Sequence, residues 1–237
     1  MTEKLSDDFL LHYRTVSEKI RQAAESVGRS AEEITLLAAT KTVDAERINH
    51  AISCGLRVIA ENRVQEFLQK KDLLLPVEQH FIGHLQTNKV RDIVGQVALI
   101  HSVDSLHLAQ AIEREAEKKN CVQDILLEVN IGDEPQKSGF AKQEVLAVVT
   151  RLENFPHLRV RGLMAVPPVC SAPEENRKYF RAMRNLFLDI GTKKMDNGSM
   201  EILSMGMSDD YEVAITEGAT VVRIGSALFG KRNYQLL

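Results

Sequence analysis

The stretch ITLLAATKTVDAERINHAISCG, residues 34–55, contains one structural unit and one chemical anomaly. Ile34 to Ala39 is a mostly apolar run of strand length, suited to burial on both faces of a parallel sheet. Thr40 and Lys41 end it, and Asp44, a good N-capping residue, opens a helix-like segment that runs to Cys54 and stops at Gly55. A lysine is almost never fully buried unless paired. Lys41 therefore marks either the point where the strand meets water or a position chosen for its amine.

The strand-turn-helix unit recurs along the chain. Further apolar runs are RVIAE (57–61), QHFIGH (79–84), VALIHSV (97–103), DILLEVN (124–130), RVRGLMAV (159–166), EILSMGM (201–207) and TVVRIGSA (220–227). With residues 34–41 they make eight, each apolar on both faces and separated by connections long enough for a crossover helix. The helix-like segments between them include NRKYFRAMRNLFLDI, led in by Ser171 and Pro173 and stopped by Gly191, and Ser208 to Glu217, stopped by Gly218.

Eight alternations predict the α/β class and a (β/α)8 TIM barrel over about residues 34–230, with an open doubly wound sheet as the alternative. An extra N-terminal helix is expected at about residues 6–27, from Ser6 as N-cap, an apolar face of Phe9, Leu10, Tyr13, Val16, Ile20 and Ala24, and Gly28 as stop. It is expected to pack on the outside of the barrel. No linker or low-complexity tract divides the chain, so residues 1–237 read as one domain. The loop GTKKMDNGSM, with its Asn197-Gly198 turn, is the one markedly irregular stretch.

Composition narrows the function classes. Thirty Lys+Arg against 33 Asp+Glu give a net charge of −3, which offers no bulk attraction for nucleic acid or an anionic membrane. Arg177, Lys178, Arg181 and Arg184 share one helical face and read as a solvated surface. Cys54, Cys121 and Cys170 are odd in number and widely spaced, so neither a disulfide framework nor a metal site is expected. No segment has the length and apolarity of a membrane span, and the acidic N-terminus lacks a signal-peptide core. The expectation is a cytoplasmic protein, monomeric rather than oligomeric.

Barrel chemistry gathers where strands end at their C-terminal face. Those ends carry Lys41, Glu61, Asn62, His84, Ser102, Asn130, Met164, the segment Ser204 to Ser208, and Arg223 with Gly225 and Ser226. Singly, each has an ordinary structural reading: His84 as a bonded histidine, Asn62 and Asn130 as turn residues, the methionines as core filler. Arg223 stands out because a guanidinium inside TVVRIGSALFG needs partners. Gly206 permits close backbone approach, Ser208 is placed to cap the next helix, and Gly225-Ser226 precede another helical turn. Loops after strands seven and eight commonly cradle phosphate in such barrels. A lysine amine after strand one and a phosphate cradle after strands seven and eight suit a phosphorylated aldehyde such as pyridoxal 5′-phosphate (PLP).

The motifs LLAATKT, ENRVQE, HFIGHLQTNK, HSVDS, EVNIGDEPQKSGF, RGLMAV, LSMGMSDD and VRIGSALFG, in this order, resemble the pyridoxal phosphate homeostasis protein family. The resemblance implies a fold-type III PLP barrel, similar to the N-terminal domain of alanine racemase, that binds cofactor without substantial turnover. It implies a buffer or carrier role toward apo PLP-dependent enzymes, with an amino-acid racemase as the enzyme alternative. By that resemblance Lys41 is the Schiff-base lysine, and Ser204, Gly225 and Ser226 match phosphate-contacting positions. Met205, Gly206, Met207 and Ser208 match the adjoining loop. Arg223 matches the residue facing the pyridine nitrogen, Asn62 one near the ring, and Met164 a cofactor-binding position. No metal ligands or catalytic residues are implied. Ala60 and His84 depart from the residues usual in the family at those positions. After the eighth strand only KRNYQLL remains, so a second domain bringing an opposing tyrosine is not expected, and Tyr234 lacks a scaffold. Outside PLP chemistry, a lysine aldolase or phosphosugar isomerase is the remaining reading, with Glu61 as the strand-end carboxylate for the latter.

Overall fold

A computed structural model describes the backbone of residues 2–193 and 198–230, with side chains from residue 8 onward. The Asn197 half of the expected turn and Tyr234 lie outside the described residues. Eight parallel strands close into a barrel in sequence order: β1 (Thr35–Ala39), β2 (Val58–Glu61), β3 (Glu78–Phe81), β4 (Leu99–Val103), β5 (Gln123–Glu128), β6 (Leu158–Met164), β7 (Gly198–Met207) and β8 (Val221–Ile224). Closure is made by β1 pairing with β8, Leu37 opposite Arg223 and Ala38 opposite Ile224. The open-sheet alternative is thereby excluded.

The helices are α1 (Thr2–Glu25), α2 (Ala45–Ser53), α3 (Val64–Lys70), α4 (Val90–Ile93), α5 (Leu106–Lys118), α6 (Val145–Leu152), α7 (Arg177–Gly191), α8 (Tyr211–Thr216) and α9 (Ser226–Phe229). Asp44 accepts from the Arg47 N–H and Ser105 from the Leu108 N–H, so α2 and α5 begin where side-chain caps satisfy otherwise orphaned amides. Apolar residues sort by strand face. Ala38, Ile59, Phe81, Leu163 and Ile224 point outward into the layer packed by helices. Leu37, Val58, Ala60 and Val221 fill one end of the barrel interior, and Leu99, Leu126 and Met164 form a second inner cluster.

Three helix caps differ from the sequence reading. Helix α1 begins at Thr2, so Ser6 lies within it and is not its cap. Gly191 is the last residue of α7, and the cap is Thr192. Helix α8 starts at Tyr211 behind Asp210, not at Ser208. As expected, α1 packs on the barrel's outside: Phe9 stacks on Phe229 at 5.5 Å, and the His12 ring lies 3.1 Å from the Leu228 carbonyl. The basic face of α7 is a paired surface, with Arg177 and Arg181 both on Glu217 and Arg184 over the Phe187 ring. All three cysteines are free, and among the described residues no helix is long and apolar enough to cross a membrane.

Candidate cofactor site at the barrel mouth

Lys41 follows β1 by two residues, on the C-terminal side of the barrel. Its neighbours on both sides are tied down. Thr40 is buried, with its N–H on the Ala60 carbonyl at 3.0 Å and its hydroxyl on Glu61 Oε1 at 2.7 Å. The Lys70 ammonium donates to the Thr40 carbonyl at 3.1 Å, to Glu61 Oε1 at 2.9 Å and to Glu66 Oε2 at 3.3 Å. On the other side Thr42 adopts φ +64°, uncommon and costly for a β-branched residue, and its N–H is held by Glu66 Oε2 at 2.7 Å. Glu61 is only 3% exposed. Burial raises its carboxyl above the usual range, with Lys70 pulling the other way.

The adjoining wall is built from β7 and β8. Arg223 is 5% exposed inside the barrel, with Nη1 on Ser204 Oγ at 2.7 Å and Nη2 on the Ala165 carbonyl at 3.0 Å. Burial pulls this guanidinium down to about 10, against the pull of Glu128 and Asp210, which leaves it charged at neutral pH. The N–H groups of Gly225 and Ala227 converge on Ser208 Oγ at 3.2 and 3.3 Å. Ser208 therefore faces β8 and does not cap α8, whose leading turn is closed by Asp210 Oδ1 accepting from the Met207 N–H at 2.7 Å. Gly206 sits at a register shift of β7 with φ +90°, and a Cβ there would meet Ala214 Cβ at 2.5 Å. Since Leu37 pairs with Arg223, Ala39 lies beside Gly225, and Lys41 opens at the same mouth.

The fold thus brings Lys41, Ser208, Arg223, Gly225 and Ser226 to one edge. Asn62 follows β2 half-buried, and its carbonyl lies so close to Gly83 that a Cβ on that glycine would sit 1.9 Å from it. Other expected residues have different surroundings. Met205 packs outward among the helices, Met164 is buried inside the barrel, and Met207 is exposed. Ser204 is fully buried with its hydroxyl between Arg223 and His101. Asn130 spends its amide on the Glu134 backbone, and His84 pairs with Asp104 at 3.2 Å on the rim. Ala60 fits the inner core as a buried apolar residue.

Glu128, at the end of β5, was not singled out by the sequence. Burial first, and then repulsion from Asp104, pushes its carboxyl up to about 6, against the pull of Arg223 and His84. Two buried histidines, His80 and His101, were also missed. The available signal was a polar residue in mid-strand, where QHFIGH and LIHSV otherwise place apolar ones.

This fold and site define a barrel of the alanine racemase N-terminal kind, and the family model described as "Alanine racemase, N-terminal domain" matches residues 13–233. The chain is 48% identical over 221 residues to the pyridoxal phosphate homeostasis protein of Aquifex aeolicus, covering 92% of this chain and 96% of that one. It is 39% identical over 234 residues to the protein of the same name from Escherichia coli K12, covering 96% and 98%. It belongs to the pyridoxal phosphate homeostasis protein family. Among solved structures it is similar to PipY of Synechococcus elongatus PCC7942 with PLP bound, with TM-score 0.78 and 32% identity over 89% of this chain and 100% of that one.

Proposed function

We propose that this protein binds PLP at the β1, β7 and β8 edge, with the cofactor attached to Lys41, and serves as a reversible PLP store and carrier. The observation that carries the reading is the convergence, beside Lys41, of a buried cationic Arg223 and two backbone amides aimed at one point. The residues fit the group. Gly225 and Ala227 N–H with the Ser208 and Ser226 hydroxyls suit a phosphate, and these are individual donors, since α9 is too short to act through a dipole. Arg223 suits an unprotonated ring nitrogen, because a fixed positive charge disfavours a second one beside it.

PLP supplies an aldehyde that a lysine amine captures reversibly with loss of water. The chain's own work is to hold Lys41 in register through Thr40, Thr42, Glu66 and Lys70, and to hold Arg223 in place through Ser204 and the Ala165 carbonyl, its charge favoured by Glu128 and Asp210. Ser204 acts on this reading as a support for Arg223 beneath the site. An unprotonated ring nitrogen weakens the electron withdrawal that PLP catalysis exploits, which favours holding the cofactor over turning over a substrate. The relatives' names agree with storage, and the free thiols of Cys54, Cys121 and Cys170 suit a reducing cytoplasm.

The test is transfer. Protein loaded with PLP and freed of excess is mixed with an apo PLP-dependent enzyme, and recovery of that enzyme's activity is followed against an equal amount of free PLP with a competing amine present. Carriage predicts recovery from the loaded protein where free PLP is scavenged. Recovery no better than free PLP contradicts carriage.

A further inference from the structure

A continuous hydrogen-bonded chain crosses the barrel interior beneath the proposed site. From the exposed end of β3 it runs Glu78 Oε1 to His80 Nε2 at 2.7 Å, His80 Nδ1 to His101 Nε2 at 2.9 Å, and His101 Nδ1 to Ser204 Oγ at 3.0 Å. It ends where Arg223 Nη1 meets Ser204 Oγ at 2.7 Å. Inner positions of such barrels are ordinarily filled by aliphatic side chains. His101 and Ser204 are fully buried here, His80 is nearly so, and Glu78 stands 54% exposed at the opposite end.

The order of donors follows from the two ends. Arginine only donates, so the guanidinium fixes Ser204 Oγ as an acceptor toward Arg223. An ionised Glu78 only accepts, so His80 Nε2 carries a proton. The Ser204 hydroxyl has no acceptor among the described residues but the His101 ring, so His101 carries its proton on Nε2, donates it to His80, and keeps a bare Nδ1. The Ser204 hydroxyl proton points to that Nδ1, and every group in the chain is satisfied. The reverse tautomer of His101 would make Ser204 accept twice and leave its own proton without an acceptor among the described residues, a buried unmade hydrogen bond. Burial above all, with the charge of Arg223 beside it, holds His101 neutral, in agreement with this count. The charged groups bearing on Arg223 are Glu128 from β5 and Asp210 after β7, and the one paired with His80 is Glu78.

We infer that Glu78, His80 and His101 are positioning residues for Arg223, a one-way donor chain that fixes the guanidinium against the ring of a bound pyridine cofactor. The chain makes the far end of the barrel part of the cofactor site. This role rests on the proposed function, whereas the direction of the chain does not.

Two measurements separate them. Long-range 15N–1H spectra of the imidazoles in PLP-free protein should show the Nε2–H tautomer at both His80 and His101. Glu78→Leu, on the surface, should lose that fixed state at His80. In PLP titrations, His101→Leu should weaken binding about tenfold and displace the absorption maximum. His101→Gln, which can accept from Ser204 and donate to His80, should stay within about twofold of wild type. Should His101→Leu not fold, Glu78→Leu is expected to displace the maximum in the same direction. An Nδ1–H tautomer at either ring overturns the direction of the chain. Spectra and affinities unchanged in both Leu variants overturn the positioning role. Wild-type protein that takes up no PLP overturns the proposed function and the positioning role with it, and leaves the tautomers to be read independently.

Discussion

The Lys70 ammonium lies 2.9 Å from Glu61 Oε1 and 3.1 Å from the Thr40 carbonyl, so one helix residue holds a buried carboxylate and the peptide that carries Lys41. Replacing it strands Glu61, which has a second buried oxygen without a partner. Lys70→Met should destabilise the fold by about 3 kcal/mol, and adding Glu61→Gln should recover most of the loss, because the cost arises from an unpaired buried charge. Urea unfolding of the single and double variants measures both. Equal losses in the two would contradict the ion-pair account.

Gly206 is required by geometry as well as conformation, with φ +90° and Ala214 Cβ 2.5 Å from where its own Cβ would stand. Gly206→Ala should cost about 2 kcal/mol or more and displace the 207–210 turn that carries Ser208. A thermal midpoint like that of wild type, with unaltered PLP affinity, would show that the turn adapts.

Glu128 gives a pH signature. In the folded protein it keeps its proton to about 6, whereas its ordinary value is 4.5. Between these values the folded state binds more protons than the unfolded, so stability falls as pH rises through that window. Glu128→Gln removes the effect. Its thermal midpoint should match wild type at about pH 4 and exceed it above about pH 6.5. A constant offset across that range would mean the carboxyl is not raised.

Phe9 links α1 to α9, stacking on Phe229 just after the Gly225-Ser226 segment. Phe9→Ala should destabilise by about 3 kcal/mol. Because α9 carries Ser226 and Ala227, two of the proposed phosphate donors, the same variant should release PLP faster, which a trapping assay resolves. An unchanged release rate would confine α1 to a structural role.

Racemisation should be negligible. Chiral chromatography of L-alanine incubated with the loaded protein should show no sustained formation of the D-enantiomer. Conversion abolished by Lys41→Ala would establish an enzyme instead.

The barrel was legible because eight largely apolar runs recur at crossover spacing and several helix-like segments carry their own punctuation, as in residues 34–55. Lys41 and Arg223 were legible as charges in apolar company. Ser208 was assigned to the wrong helix because a serine before a helix-like segment reads as its cap, whereas the register shift at Gly206 turns it toward β8. Met205 matches the cofactor-side loop by resemblance, but it lies on the outward face of β7 as core filler, the reading its own strand position gives. The inner relay was hidden because its members come from β3, β4, β7 and β8, and only barrel closure brings His101 across to Ser204.

The most direct test of the central claim is intact-mass and peptide-mapping spectrometry of the protein after incubation with PLP and borohydride, beside Lys41→Ala. The account predicts one stable pyridoxyl adduct, located on the peptide containing Lys41 and missing from the variant. An adduct spread over surface lysines, or retained in Lys41→Ala, would contradict it.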